Sequence, residues 1–214
     1  DAFSKELAQQ VNEYLKSKNL RKFGSWKILL KVPLMFSLYL GPYFLMMFGV
    51  IENTWLMLVM SITMGIGMAG IGLSIMHDAN HGSFSRYDWV NKAMSYSMEV
   101  LGGNGLNWRI QHNVLHHSFT NVHDLDEDIR PPGLLRFSPN EPVKKIHKFQ
   151  VYYAWFFYGL MTLSWMTNKD FMQLWRYKKQ GLLEAQNITF KRALTQLIFA
   201  KTIYYIAITV VPLL

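Results

Sequence analysis

The chain contains no cysteine. That absence excludes disulfides, thiolate zinc sites and iron–sulfur clusters together, so any bound metal must be held by nitrogen and oxygen ligands. Charge is also scarce. Only 17% of the 214 residues are Asp, Glu, Lys or Arg, and 50% are hydrophobic, whereas a soluble domain carries about 25% charged residues. The deficit points to a membrane protein. Acidic groups are the scarcer sign: 22 Lys and Arg face 14 Asp and Glu, for a net charge of +8. The basic residues are dispersed and no nucleic-acid-binding motif accompanies them, so they are assigned to the flanks of membrane spans and not to a nucleic-acid partner. No initiating methionine or signal-peptide pattern precedes Asp1 and the first apolar run, so the sequence reads as part of a longer or processed chain.

Apolar runs organise what is present. Residues 1–31 form a basic amphipathic segment, with Lys5, Lys16, Lys18, Arg21, Lys22, Lys27 and Lys31 against Asp1, Glu6 and Glu13. Val32 to Ile51 is uncharged and long enough to cross the hydrocarbon core. Pro33 sits at its start and Pro42 predicts a kink. Glu52-Asn53 makes a short turn, and Thr54 to Met76 is a second uncharged run, so 32–76 reads as a membrane hairpin. Its second arm carries Gly65-Ile66-Gly67-Met68-Ala69-Gly70, a literal G-x-G-x-x-G without the strand that a dinucleotide site needs. Close helix packing through Gly65/Ala69 and Gly70/Ser74 is the expectation. Residues 77–150 are polar and include Pro131-Pro132. Val151 to Met166 is a third run, aromatic and short for a span, and 167–192 is polar and basic. From Ala193 the chain is apolar to Leu214 except for Lys201; the run beyond it is too short to cross alone, and if Lys201 snorkels to an interface the helix is cut off before it finishes.

These features predict an all-α integral membrane helical bundle forming a single domain over 1–214. It has a cytoplasmic segment 1–31, the hairpin 32–76, a cytoplasmic histidine-bearing region 77–150, and a third and fourth apolar segment in 151–214, the last truncated. Positive charge before the first span places the N-terminus, and hence residue 77, in the cytoplasm. One conflict remains. If the third and fourth runs both cross, Lys169, Arg176, Lys178, Lys179, Lys191 and Arg192 fall on the wrong side. An interfacial or re-entrant third run would remove the conflict, and the sequence leaves both readings open.

Five of the seven histidines fall in two short windows, His77 with His81 and His112 with His116 and His117. Imidazole is the commonest protein ligand for a transition metal. On an α-helix, His77/His81 and His112/His116 each share a face, and His117 points about 100° further round. Five nitrogens exceed the four ligands of a structural zinc and suit a two-metal catalytic centre. His123 is an additional candidate, whereas His147 reads as structural. Asp78, Asn80, Asn113 and Asn121 flank the ligands, where they could orient imidazole N–H groups or simply cap helices. The acidic run Asp124 to Asp128 lacks the glycine and spacing of a calcium loop, and reads as a solvated face or as support for the ligands.

At His77-Asp78-Ala79-Asn80-His81-Gly82 and Trp108-Arg109-Ile110-Gln111-His112-Asn113-Val114-Leu115-His116-His117-Ser118-Phe119-Thr120-Asn121 the sequence resembles the first and second histidine boxes of membrane fatty acid desaturases. The resemblance covers nearly the whole chain and is nearest to the bacterial acyl-lipid or front-end-like branch of linoleoyl-CoA-desaturase type. It implies two iron ions, dioxygen as co-substrate, and an oxidoreductase that places a cis double bond in a fatty acyl-CoA or acyl-lipid. It implies membrane lipid as surroundings, in a bacterial inner membrane or, in a eukaryote, the endoplasmic reticulum. The family's third box is absent, as is the His-Pro-Gly-Gly haem motif of a fused cytochrome b5 domain, so electrons are expected from a separate ferredoxin or cytochrome b5 type donor. Trp108, Asn104 and Asn107 are the candidate substrate contacts. A membrane hydroxylase or monooxygenase with the same metals is the alternative. A metal transporter is disfavoured because the first two spans hold no ionisable group.

Overall fold

The computed structural model describes residues 2–20, 23–24, 26–129 and 133–214. Asp1, Arg21, Lys22, Ser25, Arg130 and the Pro131-Pro132 pair lie outside the described residues. Among the described residues every regular element is helical, and the chain divides into two compact units, one ending at Ser97 and the other running from Met98 to Leu214.

In the first unit, α1 (Ala2–Ser17) is amphipathic and leaves Phe3, Leu7, Val11 and Tyr14 exposed along one stripe. Helix α2 (Trp26–Met47) begins ahead of the apolar run, so Lys27, Lys31 and both prolines lie inside a helix that continues through Pro33 and Pro42. Helix α3 (Thr54–Asn80) is opened by Asn53, whose side chain accepts from the N–H groups of Trp55 and Leu56. The two helices pack through Gly67 and not through the expected Gly65/Ala69 pair. A Cβ on Gly67 would stand 2.6 Å from Tyr39 N and 2.8 Å from Leu38 C, whereas one on Gly65 would meet nothing. Gly70 lies against the Met35 side chain. At 100° per residue, positions 67, 70 and 74 share the face turned to α2, and positions 65 and 69 are exposed. A π-helical turn, Ile71–Met76, lies in the last part of α3, and α4 (Asp88–Ser95) follows.

The second unit opens with α5 (Gly105–Arg109), capped by the Asn104 side chain on Asn107 N, and runs on as a π-helical stretch over Ile110–His116. Then come α6 (Gln150–Ser164), a π-helical turn Trp165–Lys169, α7 (Asp170–Lys179) and α8 (Phe190–Leu213). Ile110, Leu115, Leu174, Tyr177, Leu183, Ala193 and Leu197 form its buried core, so the histidine-bearing stretch is anchored against α7 and the start of α8. Lys201 does not snorkel. It is 3% exposed, 2.7 Å from the buried Asp170 carboxylate, and its Nζ donates to the carbonyls of Gly102 and Trp165 at 2.6 Å each. A buried carboxylate and two carbonyl acceptors satisfy the ammonium inside the protein.

Among the described residues three helices are long and apolar enough to cross a membrane: Trp26–Met47, Thr54–Asn80 and Phe190–Leu213, with mean hydropathy 1.6, 2.0 and 1.6. The third apolar run, in α6, is not one of them.

Candidate metal centre

The first histidine pair sits on the last turns of α3. The rings of His77 and His81 are 4.6 Å apart, and His77 Nδ1 lies 3.2 Å from Asp78 Oδ1. The Asn80 side-chain amide donates to Met76 O at 3.0 Å. Gly82, at φ +67°, ends the helix in the left-handed region that glycine adopts without strain. The chain then folds back, with Ser83 and Phe84 N–H on Asp78 O. Asn91, buried and unremarked in the sequence, holds this return by accepting from Ser85 N and donating to Ser85 O, each at 2.8 Å.

The second group depends on the π-helical register. His117 N–H donates to His112 O, an i→i+5 bond that sets residues five apart nearly over one another. Ile110 and Leu115 thereby share the core face, while His112 and His117 share the opposite one, their Nε2 atoms 3.3 Å apart. The α-helical expectation that His117 points well round from His112 is therefore corrected. Two imidazole nitrogens about 2.1 Å from one ion at a tetrahedral angle stand roughly 3.4 Å apart, so this pair is spaced to share an ion. Trp108 stacks on His112 with ring centroids 4.5 Å apart.

Support for His116 comes from the acidic run. Both oxygens of Asp126 lie 3.1 Å from His116 Nδ1, which leaves Nε2 for a metal. Asp126 is fully buried and also accepts from Asn121 N and Asp128 N. Burial alone would raise its pKa, but these donors and His116 outweigh it and hold the carboxyl below the usual carboxylate range. Asn121 contributes through its backbone, at φ +63°, a conformation asparagine tolerates. Asp128 Oδ2 lies 3.5 Å from both His112 Nδ1 and His116 Nδ1, so these three residues also form a group able to hold an ion.

A chain of hydrogen bonds ties this acidic run to α7. Gln111 donates to Asp128 and accepts from Gln173 at 2.6 Å. Tyr177 Oη donates to Glu127 at 2.7 Å, and Arg176 pairs with Glu127 at 2.7 Å. Burial drives the Tyr177 hydroxyl strongly upward, so it is a fixed donor. Neither Gln173 nor Tyr177 stands out in the sequence, because their partners Gln111 and Glu127 lie 46 to 62 residues away.

The other expected residues are placed elsewhere. His123 lies between Asp124 at 3.7 Å and Glu141 at 3.9 Å. His147 Nδ1 accepts from Lys144 N and caps a short turn. Asn113 is half-buried on the histidine-bearing stretch. Asn104 caps α5, and the buried Asn107 donates to Asp170 O at 2.7 Å, so both amides hold the scaffold of the second box.

Comparison with known proteins gives a consistent picture. The chain is 32% identical over 163 residues to the sn-1 linoleoyl-lipid 6-desaturase of Arthrospira platensis, covering 76% of this chain and 44% of that protein. It is 32% identical over 168 residues to an acyl-lipid (8-3)-desaturase of Physcomitrium patens, covering 78% and 35% respectively. An acyl-lipid (7-3)-desaturase of Diacronema lutheri is 40% identical over 96 residues, covering 45% of this chain and 22% of that protein. The chain thus spans less than half the length of these curated relatives. No solved structure matches it significantly. The fatty acid desaturase family profile matches residues 53–214, which include both histidine groups and the helices Thr54–Asn80 and Phe190–Leu213, and the chain belongs to that family.

Proposed function

We propose that the protein is an oxygen-dependent fatty acid desaturase that introduces a cis double bond into an acyl chain at a histidine-ligated di-iron centre. The observation that carries this reading is the register of the second box, with the His112 and His117 Nε2 atoms 3.3 Å apart and His116 backed by the buried Asp126. The donor set fits iron: imidazole nitrogens in front, carboxylates behind, and no sulfur. His77, His81, His112, His116 and His117 would hold the metal, with further ligands from a third histidine box elsewhere in the whole protein. Bound iron would supply dioxygen activation, the balance being one dioxygen, two electrons, two protons and two acyl hydrogens converted to a double bond and two waters.

The chain's own residues orient and exclude. Asp126 and Asp78 face the Nδ1 atoms of His116 and His77, which would leave the Nε2 atoms to hold a metal. Trp108 packs on the His112 ring and offers an apolar surface beside it to an acyl chain. The names of the relatives favour a lipid-linked acyl chain over acyl-CoA. Electrons would come from an external ferredoxin or cytochrome b5 type donor, and the boxes would face the cytoplasm of a bacterial inner membrane, or that side of the endoplasmic reticulum.

In the full-length protein, His116→Ala should abolish both iron content and activity, and retention of both would remove His116 from the ligand set. Mass spectrometry of the products separates the chemistries. Loss of two hydrogens supports desaturation, whereas gain of oxygen makes the protein a hydroxylase or monooxygenase. Metal uptake into liposomes without lipid oxidation would overturn the enzyme reading.

A further inference from the structure

The third apolar run is uncharged from Val151 to Met166, yet most of its large side chains stand exposed, Tyr152 at 81%, Trp155 at 75% and Phe156 at 66% among them. An apolar surface of this size is not left to water. A transmembrane crossing and a bed in the bilayer surface would each cover it, and the hydrogen bonds at its two ends decide between them.

At the N-terminal end, the Gln150 side chain accepts from Arg136 N at 2.7 Å and donates to Arg136 O at 3.0 Å, and Tyr153 Oη donates to Leu134 O at 2.7 Å. At the other end, in α7, Asp170 O accepts from Asn107, Gln173 donates to Gln111, and Tyr177 donates to Glu127. Both sets of partners belong to one polar segment, the second histidine box and the loop after it, which contains no candidate span among the described residues. The helical stretch from Gln150 to Lys179 is about 45 Å long at 1.5 Å per residue. A crossing would put α7 on the far side of the hydrocarbon core and break its bonds to Gln111 and Glu127. The same polar segment holds both ends, so the helix returns to the side it started from.

We infer that α6 is an interfacial helix, lying in the cytoplasmic leaflet with its aromatic face in the headgroup and upper acyl region, and that residues 81–189 never cross the membrane. Lipid is the occupant the composition fits. Tyr152, Trp155 and Tyr158 are the amphipathic aromatics that favour the interface. The exposed Lys178, stacked on Trp175 and Phe190, stands where an anionic leaflet would attract it. The placement also returns Lys169, Arg176, Lys178, Lys179, Lys191 and Arg192 to the side of the basic N-terminal segment, which removes the conflict with the positive-inside bias. It does not depend on the catalytic reading.

The cysteine-free background makes the test direct. In the full-length protein, with any cysteine outside these residues replaced, Glu52→Cys, Asn140→Cys and Gln186→Cys are labelled with a membrane-impermeant maleimide in sealed vesicles of each orientation. Asn140→Cys and Gln186→Cys should label from one side and Glu52→Cys from the other. Labelling of Gln186→Cys from the Glu52 side would overturn the proposal. Depth is read separately, from a fluorophore on Tyr152→Cys or Trp155→Cys and lipid-borne nitroxides. Shallow nitroxides should quench at least about twofold more than midplane ones, as for a helix buried 5–10 Å in the interface. Stronger midplane quenching, or none from either depth, would also overturn it.

Discussion

Replacing Lys201 with methionine should be among the most damaging single changes in the second unit. The ammonium and the Asp170 carboxylate are 3% and 1% exposed and 2.7 Å apart. Removing one partner of such a buried pair costs about 3–5 kcal/mol, because the remaining charge is left without compensation. Two carbonyls, of Gly102 and Trp165, lose their donor at the same time. Taking about 4 kcal/mol, and roughly 2–4 °C per kcal/mol for a domain of this size, the unfolding midpoint should fall by roughly 10 °C. Asp170→Leu should cost less, since Lys201 keeps its two carbonyl acceptors. The double variant Lys201→Met/Asp170→Leu should recover at least about 2 kcal/mol relative to the sum of the single changes, because no unpaired charge remains. The assay is the midpoint for loss of the monodisperse peak after heating full-length protein in detergent. A Lys201→Met midpoint within about 2 °C of the parent, or a double variant equal to the sum of the singles, would refute this reasoning.

The same geometry yields further expectations. Asp126→Asn should weaken metal retention about 10–100-fold, read as metal content across a chelator titration, because His116 loses the carboxylate that fixes its ring; unchanged retention would remove Asp126 from that role. Gly67→Ala should cost about 1–3 kcal/mol, since its Cβ meets the α2 backbone, while Gly65→Ala should stay within about 0.5 kcal/mol; equal midpoints for the two would contradict the packing face. Burial pushes the Glu99 carboxyl above its usual range, against the Gly105 N–H and the Arg109 guanidinium. The folded state therefore binds this proton more tightly than the unfolded chain, and the resulting stability is full below the unfolded pKa of about 4.3 and lost as pH rises through the raised value. Glu99→Gln should flatten the midpoint-against-pH profile over that window, and an unchanged slope would exclude Glu99 as its source.

Much of the site was legible because its determinants are local. His77 and His81 lie one helical turn apart, His112, His116 and His117 are close neighbours, and imidazole has few other reasons to cluster. The hairpin was equally legible, since two uncharged runs joined by Glu52-Asn53 leave no other arrangement in a bilayer. Residues whose roles depend on distant partners were hidden. Asp126 was one acid among four in a short run until the fold buried it behind His116. That Asn104 caps α5 and that Asn107 donates to Asp170 O could be read only from the fold.

Sequence alone thus determined the class of the protein, its membrane hairpin and the side chains that are its candidate metal ligands, because hydropathy and ligand chemistry are properties of the residues themselves. Tertiary structure decided the register and the packing partners. An i→i+5 bond placed His117 beside His112 where α-helical spacing had set them apart. The face of α3 that meets α2 selected Gly67 over Gly65. A buried carboxylate drew Lys201 inward. Bonds at both ends of the third apolar run tied it to one polar segment. Each of these outcomes depends on which groups meet across space, and no periodicity along the chain encodes that.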